Sequence, residues 1–61
     1  MFLPADDFIL LSLINTYLRD KYDSLESLCE EEGIEISELV SRLASIGYAY
    51  SADKNAFVQV D

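Results

Sequence analysis

Apolar side chains recur at helical spacing in the first third of the chain, over residues 6–22. Placing residues at intervals of about 100° produces a broad apolar arc, made of Leu10, Leu11, Leu13, Ile14, Tyr17, Leu18 and Tyr22. Phe8 and Ile9 fall outside this arc, and polar side chains form the opposite stripe: Ser12, Asn15, Thr16 and Arg19. Asp6 suits the N-cap, because its carboxylate can accept hydrogen bonds from the free amides of the first turn. The segment is therefore predicted to be a helix.

The apolar arc of this helix covers roughly half of its circumference, more than the ~100° that a simple surface helix presents to a core. One neighbouring layer would not cover it. Either the rest of the chain wraps around a central helix, or the spare flank meets a second copy of the protein. The second interpretation has weight because small cores gain most from oligomerisation, and both remain open at this point.

Two shorter helices are predicted next. Residues 24–32 have Ser24 at the N-cap and Gly33 at the end, where glycine readily takes the left-handed conformation. The side chains that point inward are Leu25, Leu28 and Cys29, while the glutamates at positions 26 and 30–32 point to solvent.

The third helix is predicted over residues 36–46, with Gly47 as its C-terminal signal. Its inward stripe consists of Ile36, Leu39, Val40, Leu43 and Ile46. Glu38 and Arg42 stand four residues apart in the favourable order, so they are expected to form an exposed ion pair.

The end of the chain has the composition of a β-hairpin. Residues 48–50 and 56–60 are rich in strand-forming side chains and flank a polar turn at 51–55. An isolated hairpin is marginal in water. We therefore expect it to pack on the helices through at least one of Tyr48, Phe57 and Val58.

This order of elements predicts an α+β fold, with three helices in a helix-turn-helix-like arrangement followed by a C-terminal β-hairpin, in a single domain spanning residues 1–61. Segments 25–34 and 39–43, followed by Gly47-Tyr48, resemble the winged helix-turn-helix pattern. In that pattern the second helix ends at glycine, an apolar residue fills the turn and a third helix follows. The resemblance implies a miniature winged helix.

A narrower resemblance runs nearly from end to end. The chain is similar to a family of small bacterial proteins, about 60 residues long, that is known only as a domain of unknown function. The similarity rests on Leu3-Pro4, Leu10-Leu11-Ser12, the Asn-Thr-Tyr-Leu-Arg-Asp motif at 15–20, Ser24-Leu25, Leu28-Cys29-Glu30 and the closing Tyr-x-Tyr and Asn-x-Phe-Val motifs. It implies a bacterial origin and no assigned activity.

Composition limits the cellular setting. The chain has 61 residues, 12 acidic and 4 basic side chains, one Cys and a formal charge of −8. Cys29 has no partner for a disulfide, and no secretory signal is evident, so the chain is expected to be cytoplasmic. The apolar run over residues 8–14 is too short to span a membrane.

The charge disfavours nucleic acid as a partner. In winged helices the start of the third helix enters the major groove, and here Glu35 and Glu38 occupy that end. The turn of the hairpin offers Lys54 beside Asp53. Because neutralised phosphates dominate DNA affinity, the net field of this chain would repel the duplex. A winged-helix transcriptional regulator that touches DNA is therefore the alternative rather than the main hypothesis.

The residues also give little support for an enzyme. Histidine, the commonest general base, is absent. Cys29 lies on an inward stripe, where a buried thiol is usually inert. The glutamates at 30–32 diverge by about 100° each and cannot converge on one metal ion. No cofactor motif is found, so we expect no catalysis, no cofactor and no metal site.

Protein–protein interaction remains as the expected function. Asn15 and Arg19 lie one turn apart on the first helix, and together they could bind a carboxylate or a carbonyl of a partner. The predicted interaction residues are Asn15, Thr16 and Arg19 with their apolar neighbours Ile9 and Leu13. In the competing interpretation, Arg19 pairs with a surface carboxylate and Asn15 faces water. The wide apolar arc further predicts a homodimer.

Overall fold

A computed structural model describes residues 2–60. It contains three helices followed by two strands: α1 (Asp7–Asp20), α2 (Leu25–Glu32), α3 (Ile36–Ala44), β1 (Tyr48–Ser51) and β2 (Ala56–Gln59). The α+β prediction is confirmed, as is the order of its elements. Within residues 2–60 no helix is both long enough and apolar enough to cross a membrane.

The helix boundaries follow from the caps that the sequence indicates. The Asp6 carboxylate accepts hydrogen bonds from the backbone amides of Phe8 and Ile9 at 2.8 and 3.1 Å. The Ser24 hydroxyl accepts from the amide of Ser27 at 3.1 Å. Gly33 has φ 71°, the left-handed conformation expected after α2. All three predicted caps are confirmed, and each satisfies backbone groups that a helix end leaves free.

Helix α1 lies at the centre of the domain and contacts α2, α3 and β2. Its side chains at positions 10, 14 and 18 are completely buried or nearly so, one or two turns apart on one face. The full core is apolar: Leu10, Ile14, Leu18, Leu25, Leu28, Cys29, Ile34, Leu39, Leu43 and Phe57. Ile34 fills the turn between α2 and α3, as the sequence predicts.

The hairpin closes the core by packing β1 on α3 and β2 on α1. Strands β1 and β2 are antiparallel, with Tyr50 opposite Phe57 in the register. Phe57 is 2% exposed, and the centroid of its ring lies 5.6 Å from that of Tyr50. The expectation that at least one of Tyr48, Phe57 and Val58 packs on the helices is confirmed, by Phe57.

The prediction that Ile36 and Val40 belong to the inward stripe of α3 is wrong. Ile36 and Val40 are each 38% exposed, whereas Leu39 and Leu43 are fully buried. At about 100° per residue, positions 36 and 40 lie on the flank of the stripe centred between 39 and 43. The elements that pack on α3 do not cover that flank.

The ion pair predicted between Glu38 and Arg42 is also wrong. The Arg42 Nε donates to the Asp7 carboxylate at 2.8 Å, and a terminal nitrogen of Arg42 donates to the carbonyl of Pro4 at 2.6 Å. Arg42 therefore fastens the segment before α1 to α3. The segment before and at the start of α1 offers the Asp7 carboxylate, 35 positions away, and the Pro4 carbonyl, 38 positions away. An exposed neighbour on the same helix cannot match both.

Candidate functional site

The side of α1 that faces away from the core carries exposed apolar residues. Phe8 is 62% exposed and Ile9 59%, and Leu13 is half-buried. Helical spacing places these three beside two exposed polar residues, and together the five form a surface that we name the outward face: Phe8, Ile9, Ser12, Leu13 and Thr16. It is the leading candidate for a functional surface.

A shallow, open groove runs along the outward face. The five residues of this face line it together with Asp6. On a helix, side chains four residues apart form rows, and here Phe8, Ser12 and Thr16 make one row while Ile9 and Leu13 make the next. Another helix can pack against such rows of uncharged side chains.

The outward face is also free of formal charge. The sequence over residues 8–18 contains no Asp, Glu, Lys or Arg, in a chain whose net charge is −8. The acidic side chains are concentrated in other segments, above all at Glu30 to Glu32. An approaching surface therefore meets less electrostatic repulsion here than along the acidic part of α2.

A second groove lies between α1 and the hairpin. Leu11 and Tyr48 contribute to its walls, and Arg19 and Lys54 lie along it. It shares Phe8, Ser12 and Thr16 with the outward face, so these side chains form a ridge between two depressions.

Asn15, one of the predicted interaction residues, is used within the chain. Its Nδ2 donates to the carbonyl of Phe57 at 3.0 Å, and the amide of Phe57 donates to its Oδ1 at 2.8 Å. The side-chain amide thus pairs with the free edge of β2 as a neighbouring strand would. The Asn15 amide is therefore bound by a strand of its own chain, and not by another protein or by bulk water.

Arg19 and Thr16 also have partners close in the chain. The Arg19 guanidinium binds both carboxylate oxygens of Asp20 at 2.9 Å. This contact raises the pKa of Arg19 and lowers that of Asp20. The Thr16 hydroxyl donates to the carbonyl of Ser12 at 2.8 Å. Asn15 and Arg19 therefore serve different partners, and the joint site that the sequence suggested does not form from them.

Three of the four cations form ion pairs with carboxylates. Arg19 lies 2.9 Å from Asp20, Lys21 lies 3.8 Å from Glu32, and Arg42 lies 2.8 Å from Asp7. Lys54 is in the hairpin turn, next to Asp53. Arg19 and Lys54 lie along the second groove, where Arg19 is paired with Asp20.

A second asparagine, whose role the sequence did not reveal, joins the hairpin to the end of α1. The Asn55 Nδ2 donates to the carbonyls of Leu18 and Tyr22 at 3.0 and 2.9 Å. Its Oδ1 accepts from the Tyr50 hydroxyl at 2.6 Å. Asn55 has φ 49°, a conformation that asparagine tolerates better than most residues. An asparagine in a turn was the available signal, but it gave no indication of these partners.

Tyr22 and Glu32 connect the end of α1 to the end of α2. The Tyr22 hydroxyl donates to the Glu32 carboxylate, so Glu32 is engaged rather than simply solvated as the sequence suggested. Lys21 Nζ lies 5.0 Å from the ring centroid of Tyr17 and 5.6 Å from that of Tyr22, within the range of cation–π attraction. The hydrogen bond to Glu32, and then burial, raises the pKa of Tyr22 to about 12.

This contact predicts a stability change at alkaline pH. Because the pKa of Tyr22 is raised from 10.0 to about 12 by folding, its stabilising contribution is complete below pH 10 and disappears as the pH passes about 12. We expect the stability difference between the wild type and Tyr22→Phe, measured by urea denaturation, to shrink over this interval. Tyr48→Phe is the control, and a Tyr22 difference that stays constant across the interval would contradict the prediction.

The thiol of Cys29 lies in the core. Cys29 is 5% exposed, as predicted, and burial raises the pKa of its thiol, which lowers its reactivity. Over residues 2–60, no three side chains of His, Cys, Asp or Glu are grouped closely enough to hold a metal ion.

The fold defines a small α+β domain of three helices and a hairpin, with an exposed apolar face on its central helix. The family model described as Domain of unknown function (DUF4250) matches residues 4–57. The chain therefore belongs to that family, and the matched segment contains the whole of α1 with its outward face. Comparison with curated proteins and with solved structures finds no match.

Proposed function

We propose that this protein is a protein–protein interaction module that associates with itself through the outward face of α1. The exposure of Phe8 and Ile9, 62% and 59%, is the observation that carries the proposal. Single exposed apolar residues are ordinary, whereas adjacent ones in a contiguous patch are typical of interaction sites. Contact with another protein would remove this apolar area from water, at about 25 cal/mol per Å².

Charge supports the choice of this face for self-association. Two copies that approach through α2 would bring the carboxylates at positions 30–32 together, and each copy already carries a net charge of −8. Approach through residues 8–18 brings together uncharged side chains. Like charges in contact cost several kcal/mol, so the uncharged strip is the favourable route for two acidic molecules.

The small size of the domain is a second reason to expect self-association. Small domains bury too little surface for high stability, and oligomerisation is a common remedy. Within residues 2–60 the core consists of ten buried apolar residues, and Cys29 is a free thiol. Burial of the outward face in a dimer would add to this core directly, next to its central helix.

The proposal assigns neither a reaction nor a nucleic-acid ligand to the protein. A transcriptional regulator with a winged helix would present cations on the first turn of α3, where Glu38 stands instead. Arg42, at the other end of α3, is engaged by Asp7 and Pro4. Direct DNA binding is the alternative, and these contacts give it no support. The cytoplasm is the proposed location.

Light scattering behind a sizing column tests self-association. At high micromolar concentration we expect the wild type to have the molar mass of a dimer, and Ile9→Glu that of a monomer. The substitution would bury one unpaired carboxylate from each copy, which weakens the dimer by roughly a hundredfold or more. Its effect on the monomer fold should be small, because Ile9 is 59% exposed.

Ser41→Glu is the matched control, since it adds the same charge at an exposed position of α3. It is expected to remain dimeric. A monomeric wild type would overturn the proposal of self-association. A dimer that persists in Ile9→Glu would show that another surface mediates it.

A further inference from the structure

We infer that two copies pack α1 against α1 in antiparallel orientation, with the Ser12 residues of both copies meeting on the two-fold axis. This inference rests on the proposed self-association and specifies its geometry. Contact between identical faces is isologous and closes at a dimer, so the arrangement of side chains along one outward face determines which orientation fits.

Side-chain size along the Phe8-Ser12-Thr16 row favours the antiparallel orientation. Ser12 is small and stands at the middle of the row, with the large Phe8 four residues before it and the smaller Thr16 four residues after it. In an antiparallel pair centred on Ser12, each Phe8 lies over the partner's Thr16. In a parallel pair, Phe8 would meet Phe8 and Thr16 would meet Thr16, which crowds one end and leaves a gap at the other.

In this arrangement the α1 helix of the partner copy packs over the groove on the outward face. Side chains of both the Phe8-Ser12-Thr16 row and the Ile9-Leu13 row line it. Where the Phe8-Ser12-Thr16 rows of the two copies cross, the small Ser12 in each allows the two backbones to approach. Ile9 and Leu13 of both copies pack together on one side of the crossing.

Charge at the two ends of α1 agrees with this orientation. Asp6 stands at the N-terminal end, and Arg19, with its side chain 72% exposed, stands near the C-terminal end. Antiparallel pairing brings the Asp6 end of one copy toward the Arg19 end of the other, and it also opposes the helix dipoles favourably. Parallel pairing would bring Asp6 to Asp6. Because Arg19 already binds Asp20, this contribution selects orientation more than it adds affinity.

Cysteine cross-linking tests the geometry. Packed helices lie about 8–10 Å apart and their Cα atoms about 2.3 Å from each axis, so the two Ser12 Cα atoms come within disulfide range. We expect Ser12→Cys to form a disulfide-linked dimer under mild oxidation at least about tenfold faster than Ser41→Cys, because association concentrates its thiols. Thr16→Cys should match that control, since its two copies would be offset by about 12 Å along the axis.

The outcomes separate the geometry from the proposed function. Rapid cross-linking of both Ser12→Cys and Thr16→Cys would indicate a parallel pair and overturn the inference. Slow cross-linking of Ser12→Cys, with a wild type that is dimeric by light scattering, would overturn the geometry and leave the proposed function standing. A monomeric wild type would overturn both the dimer geometry and the proposed self-association. The unmodified chain measures the background from Cys29, which is 5% exposed.

Discussion

Asn15→Ala is expected to destabilise the fold by about 2–4 kcal/mol, because both hydrogen bonds between α1 and β2 disappear. The amide and the carbonyl of Phe57 would lose their partner, and Phe57 itself is 2% exposed, so little water can replace it. A domain of 61 residues has a total stability of about 3–9 kcal/mol. The substitution therefore removes a large part of it.

Urea denaturation followed by circular dichroism measures this effect. Ser41→Ala is the control, because this serine is exposed on α3 and its replacement should change the stability by less than about 0.5 kcal/mol. Equal stability of the two variants would contradict the structural role of Asn15 and would restore it as a candidate for binding a partner.

Asn55→Ala is expected to cost about 3 kcal/mol, from two sources. The first is the loss of the hydrogen bonds to the carbonyls of Leu18 and Tyr22 and from the Tyr50 hydroxyl. The second is conformational, because alanine at φ 49° is strained by roughly 1 kcal/mol.

Asn55→Gly separates these two sources. Glycine loses the same hydrogen bonds but adopts the left-handed conformation without strain. We therefore expect Asn55→Gly to be less destabilising than Asn55→Ala by about 1 kcal/mol, while both remain well below the wild type. The free energies of unfolding come from the same urea titrations. A glycine variant as stable as the wild type would show that the side-chain contacts of Asn55 contribute nothing.

The parts of the fold that depend on local sequence were predictable. The capping role of Asp6 and Ser24 and the left-handed turn at Gly33 depend on neighbours within a few residues. The periodicity of apolar positions then located the core face of α1, except that Leu13 of the predicted arc lies on the outward face beside Ile9. The exclusion of Phe8 and Ile9 from the apolar arc was also visible in the sequence, and both residues are exposed.

The contacts that the sequence could not reveal join distant parts of the chain. Asn15 pairs with a strand 42 positions away, Asn55 with a helix end 37 positions away, and Arg42 with a carboxylate 35 positions away. A helical wheel assigns such residues to a polar side but does not identify which element will cover it. The predicted interaction residues illustrate the same division, since Ile9, Leu13 and Thr16 lie on the outward face while Asn15 bonds to β2.

The most direct test of the outward face of α1 as an interaction surface is the concentration dependence of the amide resonances of the wild type in two-dimensional NMR spectra. From low micromolar to millimolar concentration, we expect the signals of Phe8, Ile9, Ser12, Leu13 and Thr16 to shift or broaden progressively, while those of Ser41 and its neighbours on α3 stay constant. Spectra that do not change with concentration, or changes that map to α3 instead of α1, would contradict the account.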